Sequence, residues 1–188
     1  MRMPTIWLQL SAFVVIFGVL TAVCWRNLKC RQSHGFYRYF AFVALAALLV
    51  LNAPHWFVDR WSGLQLFSWL LLGLSVILVV CGAHELHKLD SRPQALTAAS
   101  NFDFENTAEL TDEGIYNYIR HPMYTSLILL GAGITLKAPG WIPFLLLTFT
   151  TVMMWKTATV EEAENLQYFG KPYTDYSART KQFVPFLC

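Results

Sequence analysis

The stretch GIYNYIRHPMY, residues 114–124, sets Arg120, His121 and Pro122 side by side at the start of a long apolar run, framed by Tyr116, Tyr118 and Tyr124. A cation and an imidazole beside hydrocarbon are costly unless something pairs with them. Pro122 suits the first residue of a helix, where its missing N–H is not needed. Arg120 and His121 then stand at the helix N-terminus, near free backbone N–H groups and the positive end of the helix dipole. That combination makes a receptor for a carboxylate or phosphate. It also fits interfacial anchoring, with Arg120 snorkelling to head groups and the tyrosines in an aromatic belt.

A second polar cluster, VEEAENLQYFGKPYTDY, covers residues 160–176. Glu161, Glu162 and Glu164 follow the last apolar run on the continuation of its helix, and Glu161 and Glu164 share a face at i, i+3. Gly170 is a helix stop with Pro172 beyond it. Carboxylates so close to lipid need a partner, either Arg120 or the positive centre of a ligand; a solvated helix end is the alternative. One cluster offers a site for an anion and the other a site for a cation. A zwitterion with a further positive centre suits both, and S-adenosylmethionine is such a molecule.

The elements that must position these clusters are membrane spans. Of 188 residues, 55% are hydrophobic and only 14% are charged, against about 25% charged in soluble domains. The net charge of +2 and the lack of a basic stripe leave no footing for nucleic acid. The cysteines Cys24, Cys30, Cys81 and Cys188 show neither CxxC nor metal spacing. No Gly-rich phosphate loop, G-x-S-x-G or HExxH occurs. His84 and His87 in HELH are three apart and are expected at a helix end in the interface. The N-terminus lacks a basic n-region and a small-residue cleavage site, so the first apolar run reads as a retained span.

Five apolar segments are marked, at about 6–25, 40–58, 64–83, 122–136 and 141–155. The first three approach the roughly 20 residues a helix needs to cross hydrocarbon. The last two, joined by KAPGW with its Pro139-Gly140 turn, predict a tight hairpin partly shielded by protein. The fold class is thus all-α and integral to a membrane, with about five spans. One domain covers 1–188, with spans one to three in 1–87 and the loop, hairpin and tail in 88–188. Eleven of the fourteen Lys and Arg residues fall on one side; only Arg2, Arg60 and Lys137 fall opposite. The positive-inside rule then sets the N-terminus outside and the C-terminus in the cytoplasm. The membrane is the inner membrane of a bacterium or the endoplasmic reticulum of a eukaryote. The 89–121 loop and the 156–188 tail share that cytoplasmic side with eleven of the twelve carboxylates.

The pattern G-x-Y-x-x-x-R-H-P-x-Y, then an apolar hairpin, E-E, F-G-x-x-Y-x-x-Y and a late Pro, resembles the isoprenylcysteine carboxyl methyltransferase family, which shares a wider group with phospholipid N-methyltransferases. The likeness covers about residues 100–185, and LTAASNF (96–102) resembles the family's loop before the motif. It implies a membrane enzyme with S-adenosylmethionine as methyl donor and a lipid or prenylated small-molecule or protein substrate. Carried over residue by residue, Tyr116, His121, Pro122, Met123 and Tyr124 line the cofactor site, with contacts from Glu109, Leu110 and Thr111 and with Glu161 and Glu162 at the donor's polar end. Arg120 and Lys156 are the residues expected at the reaction itself.

The chain departs from the family at two positions. Thr157 stands where an arginine for the substrate carboxylate is common, with Lys156 beside it, and Asn165 replaces a leucine. The donor site is intact by this comparison. The acceptor is expected to be an isoprenylcysteine-type carboxylate; a lipid amine or small thiol, which would need a base, is the alternative. A sterol-reductase-like NADPH enzyme is a further alternative by analogy of the hairpin, but no basic cluster for a 2′-phosphate is evident. A non-catalytic membrane partner that kept the fold is the remaining reading.

Overall fold

The computed structural model of the protein describes residues 3–90 and 110–184. Glu109, Cys188 and the LTAASNF stretch lie outside the described residues. The described residues form helices joined by turns, with no strand beyond an isolated bridge between Ile119 and Lys181. In chain order the helices are α1 (Met3–Val23), α2 (Trp25–Lys29), α3 (His34–Asn52), α4 (Gly63–Asp90), α5 (Pro122–Thr135), α6 (Trp141–Phe169) and α7 (Lys171–Arg179). Short 3-10 turns occupy Ala53–His55 and Gly114–Asn117.

Among the described residues, three stretches are long and apolar enough to cross a membrane: Ile6–Val23, His34–His55 and Gly63–Lys88. The helix α5 has 14 residues. The helix α6 has 29, apolar through its first half and carrying the carboxylates in its second. Apolar side chains such as Trp7, Val14, Val76, Val80, Leu145 and Trp155 remain exposed around the bundle, as expected where lipid is the solvent.

The helices α5 and α6 are joined by the short turn at 136–140 and touch, and each packs more extensively on another helix. The helix α3 lies along α6, α4 lies along α5, and α1 rests on α3. The α5–α6 pair touches less extensively than either, because small residues let α4 approach α5 closely. A Cβ on Gly133 would lie 2.8 Å from Leu72 Cδ2 and 3.2 Å from the Ser68 carbonyl. Polar side chains bond across the same contact: Ser68 Oγ donates to the Gly133 carbonyl at 2.7 Å and Ser75 Oγ to the Ser126 carbonyl at 2.7 Å. Gly133→Val is therefore expected to lower stability in detergent by at least about 1–3 kcal/mol through overpacking. Gly73→Ala, with open space around it, should be nearly neutral. Equal melting temperatures for the two variants would contradict this packing.

The second span also differs from expectation. Its helix begins at His34, six residues ahead of the apolar run, so Arg38 is inside α3 and only 2% exposed rather than in a loop. The extended backbone of Ser33 starts the helix there, and burial against α6 outweighs the polar character of its first turn. Lys137, assigned by charge to the opposite loop, is also buried, with Nζ 3.5 Å from the Trp69 ring centroid. Lys137 stays in the turn between α5 and α6; its burial is unexpected because periodicity does not report which polar residues a neighbouring helix covers.

The bundle has two polar ends. Asn52 Nδ2 donates to the Ile134 carbonyl at 2.8 Å, and Gln65 Nε2 to the Lys137 carbonyl at 3.1 Å. At the opposite end, His34 meets Glu164 and Arg120 meets Glu162. The start of α3, the RHP segment and the polar half of α6 are thus gathered together.

Candidate active site

Pro122 is the first residue of α5 and His121 its N-cap, in the arrangement the proline predicts. The preceding 3-10 turn starts at Gly114, whose φ of +57° is a left-handed conformation that favours glycine. A Cβ there would lie 2.6 Å from Glu85 Oε1, so a side chain would also have to displace Glu85. Tyr116, in this turn, is buried. Gly82 of α4 lets the segment sit close: a Cβ there would meet Met123 Cγ at 3.1 Å, Pro122 Cγ at 3.5 Å and Tyr116 Oη at 3.6 Å.

The carboxylates of α6 reach this segment one by one. Tyr124 Oη donates to Glu161 Oε2 at 2.5 Å. Arg120 Nε donates to Glu162 Oε1 at 2.7 Å, and His121 Nε2 bonds the same oxygen at 3.1 Å. His121 Nδ1 stands 3.8 Å from Glu161 Oε2, and its ring stacks on Tyr124 with centroids 5.2 Å apart at 10°. Of the partners open to these carboxylates, Arg120 is one that the fold supplies. Burial alone would raise the Glu162 carboxyl, but hydrogen bonds from His121 and Arg120, with their charges, outweigh it and hold it below the ordinary 4.5.

The chain end then straps the site. Gly170, with φ +62°, stops α6 and turns the chain into α7. Residues 180–183 run beside the RHP segment: the Arg120 N–H donates to the Lys181 carbonyl at 2.8 Å, His121 N–H to Gln182 at 3.1 Å, and Lys181 N–H to Tyr118 at 3.1 Å. Arg120 Nη1 adds bonds to the Thr180 carbonyl at 2.6 Å and the Ser177 carbonyl at 3.1 Å. Tyr176 Oη donates to the Tyr116 carbonyl at 2.8 Å, and Thr125 Oγ1 to the Phe183 carbonyl at 3.0 Å. The Arg120 and His121 amides, just ahead of α5, are therefore taken by the tail. Burial, then the Glu162 charge, pushes the Tyr173 hydroxyl up, so it stays protonated, and Asn165 bonds to it. The Asn165 departure from the family thus has a local partner.

The network predicts an acid response. The folded value of Glu162 lies below its unfolded value, so its contribution is present above pH 4.5 and is lost as pH falls through the folded value. Glu164, held low against its own burial by hydrogen bonds and charge from His34 and by the Arg38 charge, acts in the same direction. The melting temperature is expected to fall as pH is lowered from 7 to below 4.5. Glu162→Gln should be less stable at pH 7 and should lose part, not all, of that slope. Superimposable pH profiles would contradict the assignment.

Not every expected residue joins this network. Lys156 is exposed, with Nζ 5.8 Å from the Tyr37 ring centroid. Thr157, adjacent but about 100° around the helix, is fully buried and donates to the Met153 carbonyl at 2.7 Å. Leu110 and Thr111 lead into the site at intermediate burial. Sequence reasoning left out the dyad of His34 and Glu164, where Nδ1 meets Oε2 at 2.6 Å, and Arg38 one turn further along α3. The i, i+4 spacing in HGFYR is the signal for it, but it lies ahead of the apolar run that marks the span at about 40–58.

S-adenosylmethionine has cationic and anionic ends, an adenine ring and hydroxyls, and the residues present suit such a molecule. Thr111 Oγ1 is buried and has no hydrogen-bond partner among the described residues. Glu161 keeps 29% side-chain exposure beside the aromatic pair His121 and Tyr124.

Residues 64–172 match the phospholipid methyltransferase family. Over 134 residues the chain is 31% identical to the protein-S-isoprenylcysteine O-methyltransferase of Tribolium castaneum and 26% identical to that of Mus musculus. These matches cover 66% and 68% of this chain and 45% of each relative. The protein of the same name from Schizosaccharomyces pombe is 28% identical over 82 residues, which is 42% of this chain and 34% of that one. The chain thus spans less than half the length of these relatives. No solved structure matches it.

Proposed function

The chain belongs to the phospholipid methyltransferase family, and from that premise we propose that it is a membrane methyltransferase using S-adenosylmethionine to methylate the carboxylate of an isoprenylcysteine-type acceptor. The observation that carries the reading is the junction of Tyr124 with Glu161 and of His121 with Glu162, which joins two distant motifs at one end of an apolar bundle. When bound, the donor supplies an electrophilic methyl group on a sulfonium. Glu161 holds its cationic end, Thr111 takes a polar group, and Tyr116, His121, Met123 and Tyr124 line the remainder. Leu110 and the Glu109 segment flank it. Glu162, Arg120 and the strap fix these groups in position.

A carboxylate is already nucleophilic at pH 7, so the chain needs no base for this acceptor. Its work is alignment and exclusion of water, which supplies several kcal/mol. The acceptor's lipid tail enters from the bilayer. A lipid amine or thiol is the second reading, favoured by the buried Thr157 and outward Lys156, which leave α6 without a cation for an acceptor carboxylate. Binding of labelled S-adenosylmethionine against NADPH, followed by a screen of farnesylated cysteine, lipid-amine and thiol acceptors, tests the proposal. Methylation of a lipid amine with none of the farnesylated cysteine would overturn the carboxylate assignment.

The proposed orientation has the N-terminus outside and the C-terminus in the cytoplasm. On a background lacking the four cysteines, Arg2→Cys should react with an impermeant reagent in intact cells, and Ser177→Cys only after lysis. The reverse pattern would invert the topology.

A further inference from the structure

The donor residues come from α5, α6 and the segment ahead of α5, yet α4 closes on that same segment. Two glycines allow it. A Cβ on Gly82 would meet Met123, Pro122 and Tyr116 Oη, and a Cβ on Gly114 would lie 2.6 Å from Glu85 Oε1 and 2.7 Å from Glu85 Cδ. Gly82 and Glu85 are three residues apart and share a face of α4. The Glu85 carboxylate is thereby tucked against the start of the 3-10 turn, two residues ahead of Tyr116 and three residues after Thr111 in the chain. Its side chain is only 14% exposed. Of the four residues in HELH, His84 and His87 stay exposed while Glu85 turns toward this segment.

Lys88 Nζ donates to both Glu85 oxygens, at 3.0 and 2.9 Å, from a side chain that is 50% exposed. The two oxygens of a carboxylate offer about four lone-pair sites and no donor. Glu85 therefore keeps acceptor capacity beside Lys88, and the groups it can take are hydrogen-bond donors. The cationic end of S-adenosylmethionine belongs to Glu161, which Tyr124 holds on the α6 side. The nucleoside is left for the α4 side, with Tyr116 and Met123. Its adjacent ribose hydroxyls are two donors spaced for one carboxylate, and an acidic residue on a ribose hydroxyl is a general device of nucleotide recognition.

We infer that Glu85 of α4 binds the ribose diol of the methyl donor. This inference rests on the S-adenosylmethionine reading above and is independent of the acceptor. It gives the donor site a wall from α4 and two carboxylates with separate duties: Glu161 meets charge, and Glu85 meets hydroxyls.

The test compares calorimetric binding of S-adenosylhomocysteine with binding of its 2′,3′-dideoxy analogue to the purified protein in detergent. The native chain is expected to prefer the diol by about 10- to 150-fold. Glu85→Leu removes both acceptors, so it should bring the two affinities within about twofold of each other while the dideoxy analogue binds much as it does to the native chain. A role confined to packing against Gly114 would weaken both compounds alike and leave the preference in place; that result would overturn the inference. If Glu85→Leu does not fold, Glu85→Gln decides. It keeps the shape and one acceptor oxygen but loses the charge, so the preference should fall several-fold, and an unchanged preference again counts against the inference. A native protein that binds both compounds equally would overturn it and leave the donor reading standing. Failure to bind S-adenosylmethionine and both compounds would instead sink the donor reading itself.

Discussion

Arg120→Ala is expected to detach the strap from the site while the spanning helices stay packed. The guanidinium joins three segments at once: Glu162 of α6, the carbonyls of Ser177 and Thr180, and the RHP turn that carries it. Removing it leaves Glu162 without its closest cation and two carbonyls without donors. Breaking a buried ion pair costs about 3–5 kcal/mol. With 12% and 24% side-chain exposure at Arg120 and Glu162, the low end, about 3 kcal/mol, is expected. Hydrogen exchange should accelerate at the Arg120, His121 and Lys181 amides, which bridge the RHP segment and the tail. Trypsin should cut at Arg179 and Lys181 sooner than in the native chain. Arg120→Lys should fall between, keeping the charge without the fork. If exchange at those three amides is unaltered in Arg120→Ala, the strap is held by something else.

Glu161→Gln carries the second large effect, on donor affinity. Tyr124 points its hydroxyl at Glu161 Oε2, and His121 stands within 3.8 Å of that oxygen. Both orient a carboxylate that keeps partial exposure, which is what a cationic ligand end requires. Loss of one charge-assisted contact is expected to cost about 1.5–3 kcal/mol, roughly a 10- to 150-fold weaker Kd by calorimetry. His121→Ala should weaken binding by a similar amount, since it removes both the imidazole beside Glu161 and the aromatic surface stacked on Tyr124. Tyr124→Phe should cost less, because the carboxylate keeps its charge. Unchanged donor affinity in both Glu161→Gln and His121→Ala, with folding intact, would remove these residues from the donor site.

The chemistry at this end of the bundle depends on helix phase. Glu161, Glu162 and Glu164 lie within four positions on α6, yet they meet Tyr124, Arg120 with His121, and His34 respectively. Each residue turns the side chain by about 100°, so neighbours face different elements. The sequence showed that these carboxylates needed partners and named Arg120 as one candidate. It did not distribute them, because that depends on how α3 and α5 are rotated against α6.

Some properties belong to the sequence alone. Apolar length and low charge marked the membrane helices, because burial in hydrocarbon demands both over a continuous run. Pro122 and Gly170 marked the start of α5 and the end of α6, since each acts through its own backbone geometry. The RHP and E-E motifs were legible as a pair from spacing and family resemblance. Tertiary structure decided what contact decides. It packed α4 on α5 and α3 on α6 around the hairpin, and it occupied the Arg120 and His121 amides with the tail. It also placed Arg38 inside α3 and buried Lys137 within its turn. Helices that are apolar all round carry no periodic stripe to say which face meets a neighbour, so crossing, rotation and the burial of a lone cation appear only once the helices are assembled.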